Sequence, residues 1–499
     1  MPATLNFAAI DLGAESGRVM LGRCDGAALQ LDEAHRFSNV PVRVAGTLYW
    51  DVLRLWADIQ QGLAACARLA GGPIAGVGVD TWGVDFGLLG RDGQLLGNPV
   101  HYRDQRTDGM LDEAGRRVPR QEIFERTGIQ FMPINTLYQL LALVVDGSPA
   151  LEAASRLLTI PDLINFWLTG VMANEFTNAT TTQCFDPRAG DWAWDLLDRM
   201  GIPARIFGPV IQPGTILGPL RPDLSAELGL GQAQVIAPAT HDTGSAVAAI
   251  PFRAAAIPFR AADAIYLSSG TWSLMGVELA APVINEQSLA NNFTNEGGVG
   301  GTFRLLKNIT GLWLVQECRR AWSSQGEELS YATLEQMAER APAFESLIAA
   351  NDPRWLAPGD MPARIRQFCR ETGQAVPETA GAVIRCVLES LALEYRWVAE
   401  RLDELAGRHF ATIHVIGGGA RNGLLNQFTA DAANRAVVAG PVEATALGNV
   451  LVQAMAAGQL ASLADGRALV RHSFPTQAYG PRAYGPWEQA YQRYLRLKG

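Results

Sequence analysis

The sequence predicts an α/β protein built from two related domains, on three observations. Short apolar runs alternate with amphipathic stretches of helical period through most of the chain. A strand, small-residue turn and strand open the chain in "FAAIDLGAESGRVMLGRC", and the same plan returns in "DAIYLSSGTWSLMGVELAAP". The echo is one of architecture and not of letters, and it implies a duplicated domain with a cleft between the copies. Finally, 499 residues that are 48% hydrophobic and only 18% charged can bury more than one large core.

In chain order, "FAAIDLG", "GRVMLGRC" and "ALQLDEAHRF" form a meander, because each apolar run ends in a glycine-containing turn. "LYWDVLRLWADIQQGLAACARLAG" carries its apolar residues at helical spacing, and "IAGVGVDTWGVDFGLL" is a buried strand running into a loop. "INTLYQLLALVV" is the most apolar helical stretch, but it contains Asn, Tyr and Gln and falls short of a membrane span. "AQVIAPA" is a strand that leads into a helix opening at Asp242, and "VIGGGARNG" joins a strand to the helix "LLNQFTADAAN". Residues 248 to 254 read "AAIPFRA", and residues 255 to 261 repeat them letter for letter. Pro251 and Pro258 forbid a continuous helix, and added surface loop length costs little, so one copy is expected to bulge out between the domains. The expected division is an N-terminal domain over 1–246, a connection over 247–262, and a C-terminal domain with a helical tail over 263–499.

A net charge of -9 with no clusters of Lys and Arg argues against a nucleic-acid partner. The opening "MPATLNFAAIDLG" has no basic leader and its apolar run stops at Asp11, so neither a signal peptide nor an anchor is expected and the chain is placed in the cytoplasm. Its six cysteines form no C-x-x-C, which makes zinc improbable and reduced, buried thiols the expectation; Cys369 and Cys386 could meet between packed helices. A small-molecule partner remains. There is no G-x-x-x-x-G-K-[ST], and "VIGGGARNG" misses the dinucleotide spacing. What stays are three glycine turns, "DLGAESGR", "LSSGTWS" and "IGGGARN", each directly after a strand, where backbone N–H groups can converge on an anion.

Taken in this order with "GVDTWGVDFGLL", "YRDQRT", "GIQFMPINTLYQL", "TNATTTQ", "HDTGSAV", "NEGG" and "LKNITGLWLVQ", the turns carry a resemblance over essentially the whole chain. The sequence resembles the FGGY carbohydrate kinases, a branch of the actin and Hsp70-like ATPase superfamily. The resemblance implies two actin-like (ribonuclease H-like) domains with an ATP and sugar cleft between them, ATP and Mg2+ as cofactors, and phosphorylation of a sugar hydroxyl. Its sugar loops favour L-rhamnulose over L-fuculose, L-ribulose or D-xylulose. It also implies roles. Gly13, Ala14, Ser16 and Gly17 wrap the ATP phosphates with their backbone, Glu15 points away, Arg18 supplies positive charge, and Asp11 holds Mg2+ through water. Gly270, Thr271, Gln316, Gly418, Gly419 and Asn422 complete the nucleotide site.

Transfer to an alcohol needs a proton acceptor, and the resemblance places it at Asp242, where a helix-capping aspartate would also sit. His241, Thr243, Asn308 and Gly83 are the implied sugar contacts, with Asp80 and Trp82 beside them and Tyr102, Asp104, Arg106, Gln130 and Phe131 on neighbouring loops. A polyhydroxylated ligand is discriminated by hydrogen bonds whose loss leaves buried groups unpaired. A different class, a nucleotide-dependent switch of the same fold, would need neither base nor sugar pocket, and a sugar sensor would not need the base. A monomer or small homo-oligomer is expected.

Overall fold

Apolar runs closed by tight turns fold as the sequence predicts. In the computed structural model, which describes residues 4–252, 264–482 and 484–498, the chain opens with β1 (Leu5–Leu12), β2 (Ser16–Cys24) and β3 (Leu29–Ser38), antiparallel neighbours. Then come β4 (Ile74–Thr81), β5 (Thr215–Pro219) and β6 (Gln234–Ala237). The six make one sheet in the order β5-β6-β4-β1-β2-β3, with β4 parallel to β1 and β6 parallel to β4. Six successive residues of β1 are buried, as a central strand covered on both faces requires.

One face is covered by the helix Val52–Ala70, which Asp51 caps by accepting from the Arg54 amide. Its Leu55, Ile59, Leu63 and Cys66 recur at helical spacing and are buried, each apolar side chain worth roughly 1.5–3 kcal/mol. The other face receives the helix Ala444–Ala456, whose Gln453 Nε2 donates to the Ala8 carbonyl at 3.1 Å. That approach explains the small residues of "AGVGVD": a Cβ on Gly78 would stand 2.4 Å from Asn449 Oδ1.

The second unit carries β7 (Ile265–Ser269), β8 (Ser273–Leu279), β9 (Phe303–Ile309), β10 (Thr412–Ile416), β11 (Ala436–Ala439) and β12 (Gln477–Tyr479). They run in the order β9-β8-β7-β10-β11-β12, with β7 antiparallel to β8 and parallel to β10, β11 parallel to β10, and β12 antiparallel to β11. From β8 to β12 the strand directions repeat those of the first unit from β2 to β5, so the duplication expected from the two meanders is present over these five strands.

The units interleave along the chain. The first gathers 4–252, Glu278–Leu305 and Ala444–Phe474; the second gathers 264–277, Leu306–Glu443 and 475–498. The second "AAIPFRA" copy and the expected bulge lie outside the described residues. All six cysteines are buried and unbridged. Among the described residues no helix is long and apolar enough to cross a membrane.

Candidate functional site

Three parallel strands of the first unit, β1, β4 and β6, end side by side, and an acid stands at or just beyond each end. Asp11 and Asp80 are register partners on β1 and β4. The Thr81 amide donates to the Thr240 carbonyl at 2.8 Å, which brings His241 and Asp242 alongside. The space outside the carboxyl ends of parallel strands is where α/β folds place their chemistry.

Asp11 Oδ2 accepts from Arg18 Nε at 2.9 Å and Nη2 at 2.7 Å, a charge-assisted pair between two sequence-predicted residues. Between them the turn closes through Gly13 N–H to the Ser16 carbonyl at 2.9 Å. Asn39 secures it, donating from Nδ2 to the Gly13 carbonyl (2.9 Å) and from its backbone to the Glu15 carbonyl (3.0 Å). Gly17 is buried while the Glu15 side chain is exposed, so the acid of this turn is tolerated because it stands in solvent.

Asp80 is wholly buried; its Oδ2 accepts from Asn449 Nδ2 at 2.6 Å, and Oδ1 has no partner among the described residues. Burial, then the charge of Asp11, pushes its carboxyl well above the ordinary range, against the pull of Asn449. Asp242 is the first residue of the helix Asp242–Ala248, and its side chain is 31% exposed. Its Oδ1 accepts from the Thr243 amide at 2.5 Å and Thr243 Oγ1 at 3.0 Å, and lies 3.3 Å from His241 Nε2. No partner of Oδ2 occurs among the described residues. Burial raises the Asp242 carboxyl and the nearby Asp11 charge adds to this, while His241 opposes it. A carboxylate raised in this direction is the better proton acceptor.

Glu175, which sequence reasoning missed, fixes this corner. It is fully buried, and Oε2 accepts from the Thr240 amide (3.0 Å), Thr240 Oγ1 (2.7 Å) and Thr177 Oγ1 (2.5 Å). Thr177 Oγ1 in turn accepts from the His241 amide at 3.1 Å. One acid thus orders the backbone on which Asp242 sits.

The donor set at the strand ends fits a hydrated Mg2+. It is all carboxylate oxygen, the hard chemistry that ion takes, and the buried Asp80 Oδ1 is unpartnered. Among the described residues no group of three or more His, Cys, Asp or Glu could hold an ion by itself, so water or substrate oxygens would supply the remaining ligands.

Gly83 sits against Thr181: a Cβ there would stand 2.9 Å from Thr181 Oγ1, which accepts from the Val84 amide at 3.1 Å. Two residues on, Asp85 is the hub of an aromatic wall. Its Oδ2 accepts from the indoles of Trp50 (2.6 Å) and Trp82 (3.0 Å), and Oδ1 from Gln139 Nε2 (3.0 Å). The Trp50 ring lies 4.2 Å from that of Trp82 and 4.1 Å from that of His101, with Tyr102 next in the row. Arg106 stands behind this, its Nη2 on Gln139 Oε1 at 2.5 Å, and Asp104 accepts from the Leu48 amide at 2.7 Å. Phe131 lies under Arg120, and Gln130 gives its carbonyl to Asn135.

Burial pushes the Asp85 carboxyl up to about 6 against these hydrogen bonds. The folded protein therefore holds a proton that the unfolded chain releases near the ordinary value of 3.8, and stability falls as pH rises from there to about 6. Asp85→Asn should remove up to about 3 kcal/mol of that slope. Urea unfolding at stepped pH checks it; an unaltered slope would place the titration elsewhere.

In the second unit the β7–β8 turn joins residues far apart in sequence. Gly270 N–H donates to the Trp272 carbonyl at 2.8 Å, the Trp313 amide to the Thr271 carbonyl at 2.9 Å, and Gln316 Nε2 to Thr271 Oγ1 at 3.2 Å. Two predicted nucleotide residues are thus hydrogen-bonded to each other. The glycine loop packs on the end of β7, since a Cβ on Gly419 would stand 2.0 Å from Ser269 Oγ, and Gly418 is next to it. Asn422 caps the helix Gly423–Ala433, accepting from the Leu425 amide at 2.9 Å. Asn308 is half-buried on β9.

The chain is similar over nearly its whole length to known proteins. Residues 7–249 match the model of the N-terminal domain of the FGGY family of carbohydrate kinases, and residues 265–457 match that of its C-terminal domain. A rhamnulokinase of Bacteroides thetaiotaomicron is 47% identical over 486 residues, 97% of this chain and 98% of the relative. One of Pectobacterium carotovorum is 44% identical over 497 residues, 99% of this chain and 97% of the relative. Two solved structures share the fold: a gluconate kinase from Lactobacillus acidophilus (TM-score 0.81, 18% identity, covering 99% of this chain and 98% of that one) and a Plasmodium falciparum glycerol kinase with ADP (0.78, 14%, covering 100% and 99%).

Proposed function

The chain belongs to the FGGY family of carbohydrate kinases, and from that premise we propose that it transfers the γ-phosphoryl group of ATP to L-rhamnulose, giving L-rhamnulose 1-phosphate and ADP. One observation carries the chemistry. The Asp242 carboxylate is tied down through Oδ1 and open at Oδ2, at the ends of the strands that carry Asp11 and Asp80. Oδ2 takes the proton of the sugar hydroxyl as its oxygen turns nucleophile. When bound, Mg2+ offsets charge on the phosphates, and Asp11, with Asp80 behind it, is the side chain to hold it.

Arg18 keeps the Asp11 carboxylate fixed in one orientation. The turn from Gly13 to Gly17 offers backbone N–H groups to phosphate oxygens, and Ala14, Glu15 and Ser16 serve through their main chain. Gly83, Trp82, His241 and Thr243 of the first unit are assigned to the sugar, and so, by the family resemblance, is Asn308. Gly270, Thr271, Gln316, Gly418, Gly419 and Asn422 are assigned to the nucleotide. The identity to rhamnulokinases supports the choice of ketose.

A panel of L-rhamnulose, L-fuculose, L-ribulose and D-xylulose, read as ADP release, tests the assignment. The largest kcat/KM is expected on L-rhamnulose. A larger value on any of the other three would replace it as the substrate while leaving the kinase chemistry in place.

A further inference from the structure

Arg304 is wholly buried, and its Nη1 has no hydrogen-bond partner among the described residues. Burying a guanidinium is expensive, and an apolar side chain of similar volume often serves stability as well. The surroundings supply another reason. Arg304 Nε donates to the Gly297 carbonyl at 2.8 Å, while Nη2 lies 3.2 Å from Glu296 Oε2 and 3.1 Å from His241 Nδ1. On the far side of the ring, His241 Nε2 lies 3.3 Å from Asp242 Oδ1. A chain of four side chains thus runs from Glu296 to the open carboxylate.

Protons on this chain are constrained. A guanidinium has donors and no acceptor, so it meets Nδ1 favourably only if that nitrogen carries a lone pair. Glu296 Oε2 also lies 3.3 Å from Nδ1 but makes no hydrogen bond among the described residues, and it lies 3.2 Å from the Arg304 guanidinium, whose positive charge favours the ionised carboxylate. Glu296 therefore stays ionised and holds Arg304 in place. With Nδ1 accepting, the ring proton belongs on Nε2, the nitrogen that lies 3.3 Å from Asp242 Oδ1.

We propose that Glu296 and Arg304 are positioning residues for Asp242, acting through His241: they set the imidazole tautomer whose Nε2–H anchors Oδ1 and leaves Oδ2 to accept the substrate proton. The proposal deepens the assignment of Asp242 as base and rests on it. Both ring nitrogens of His241 are then spent on protein partners.

The first test uses the unaltered protein. Nitrogen-15 spectra of histidine-labelled protein, with the His241 signals among those of the six histidines identified by their loss in His241→Asn, should show Nε2 protonated and Nδ1 bare at neutral pH. A proton on Nδ1 alone would overturn the proposal. The second test is kinetic. Glu296→Gln and Arg304→Met should each lower kcat about 10- to 100-fold, as expected when a reacting group loses its alignment, with KM for ATP unchanged. Arg304→Lys, which keeps a cationic donor, should retain more of kcat than Arg304→Met. On an Asp242→Asn background neither change should lower the residual rate further. Wild-type kcat in both Glu296→Gln and Arg304→Met, with Asp242→Asn inactive, would overturn the positioning role alone. Full turnover by Asp242→Asn would overturn the base assignment and this proposal with it.

Discussion

Asp242→Asn is expected to remove sugar phosphorylation almost entirely while leaving ATP binding in place. The two side chains have the same shape, and the amide oxygen can keep the hydrogen bonds that Thr243 now gives to Oδ1. The amide nitrogen then replaces Oδ2, so an acceptor becomes a donor. Positioned general bases contribute about 10²- to 10⁴-fold to rate, and kcat should fall by that factor. Calorimetric titration with ATP should change little, because the nucleotide is assigned to main-chain turns and second-unit residues that the substitution does not touch. The pairing of lost turnover with kept binding also separates a kinase from a nucleotide-dependent switch of the same fold, whose function would not need this carboxylate. Undiminished phosphorylation by a folded Asp242→Asn protein would remove Asp242 from the mechanism.

What could be read from the sequence was what is local. The glycine turns directly after β1, after β7 and after β10, and Asp242 at a helix start, are fixed by residues within a few positions, and all are found where the letters put them. The strand directions shared from β2 to β5 and from β8 to β12 follow from the repeated meander, since one plan built twice repeats its order. What could not be read depends on partners distant in sequence. Asn449 reaches Asp80 across 369 residues and Glu175 reaches Thr240 across 65, with no periodicity linking either pair. Asp85 stood inside a quoted motif, yet that it accepts from two indoles emerges only once Trp50 is folded against Trp82. Glu296 stood in "NEGG", but its meaning depends on Arg304 and His241 arriving beside it. The interleaving of the units has the same cause, because residues 444–474 return to the first unit, where Gln453 reaches the Ala8 carbonyl on β1.

That return also supplies the second large expected effect, Gly448→Ala. The helices Asp242–Ala248 and Ala444–Ala456 touch at this residue, where a Cβ would stand 1.7 Å from the Ser245 carbonyl oxygen and 2.5 Å from its carbon. Both are backbone atoms of a buried helix, so no side chain can swing aside. Contacts between non-bonded carbon atoms settle near 3.5–4.0 Å, so the helices must part by about 2 Å. Overpacking of this kind costs about 1–3 kcal/mol and occasionally more. Function should suffer beyond stability. One helix carries Asp242 and the other carries the Asn449 amide on Asp80, and a shift of about 1 Å in a reacting group can cost about 100-fold in rate. A lowered melting temperature together with a kcat loss of that order is expected. Gly115→Ala is the control, being exposed in the helix Met110–Arg117 with nothing within 4 Å of its Cβ, and it should be stabilising by up to about 1 kcal/mol. If Gly448→Ala instead melts and turns over like the unaltered chain, the close approach of these helices is wrong, and with it the account of how Asp80 and Asp242 are held together.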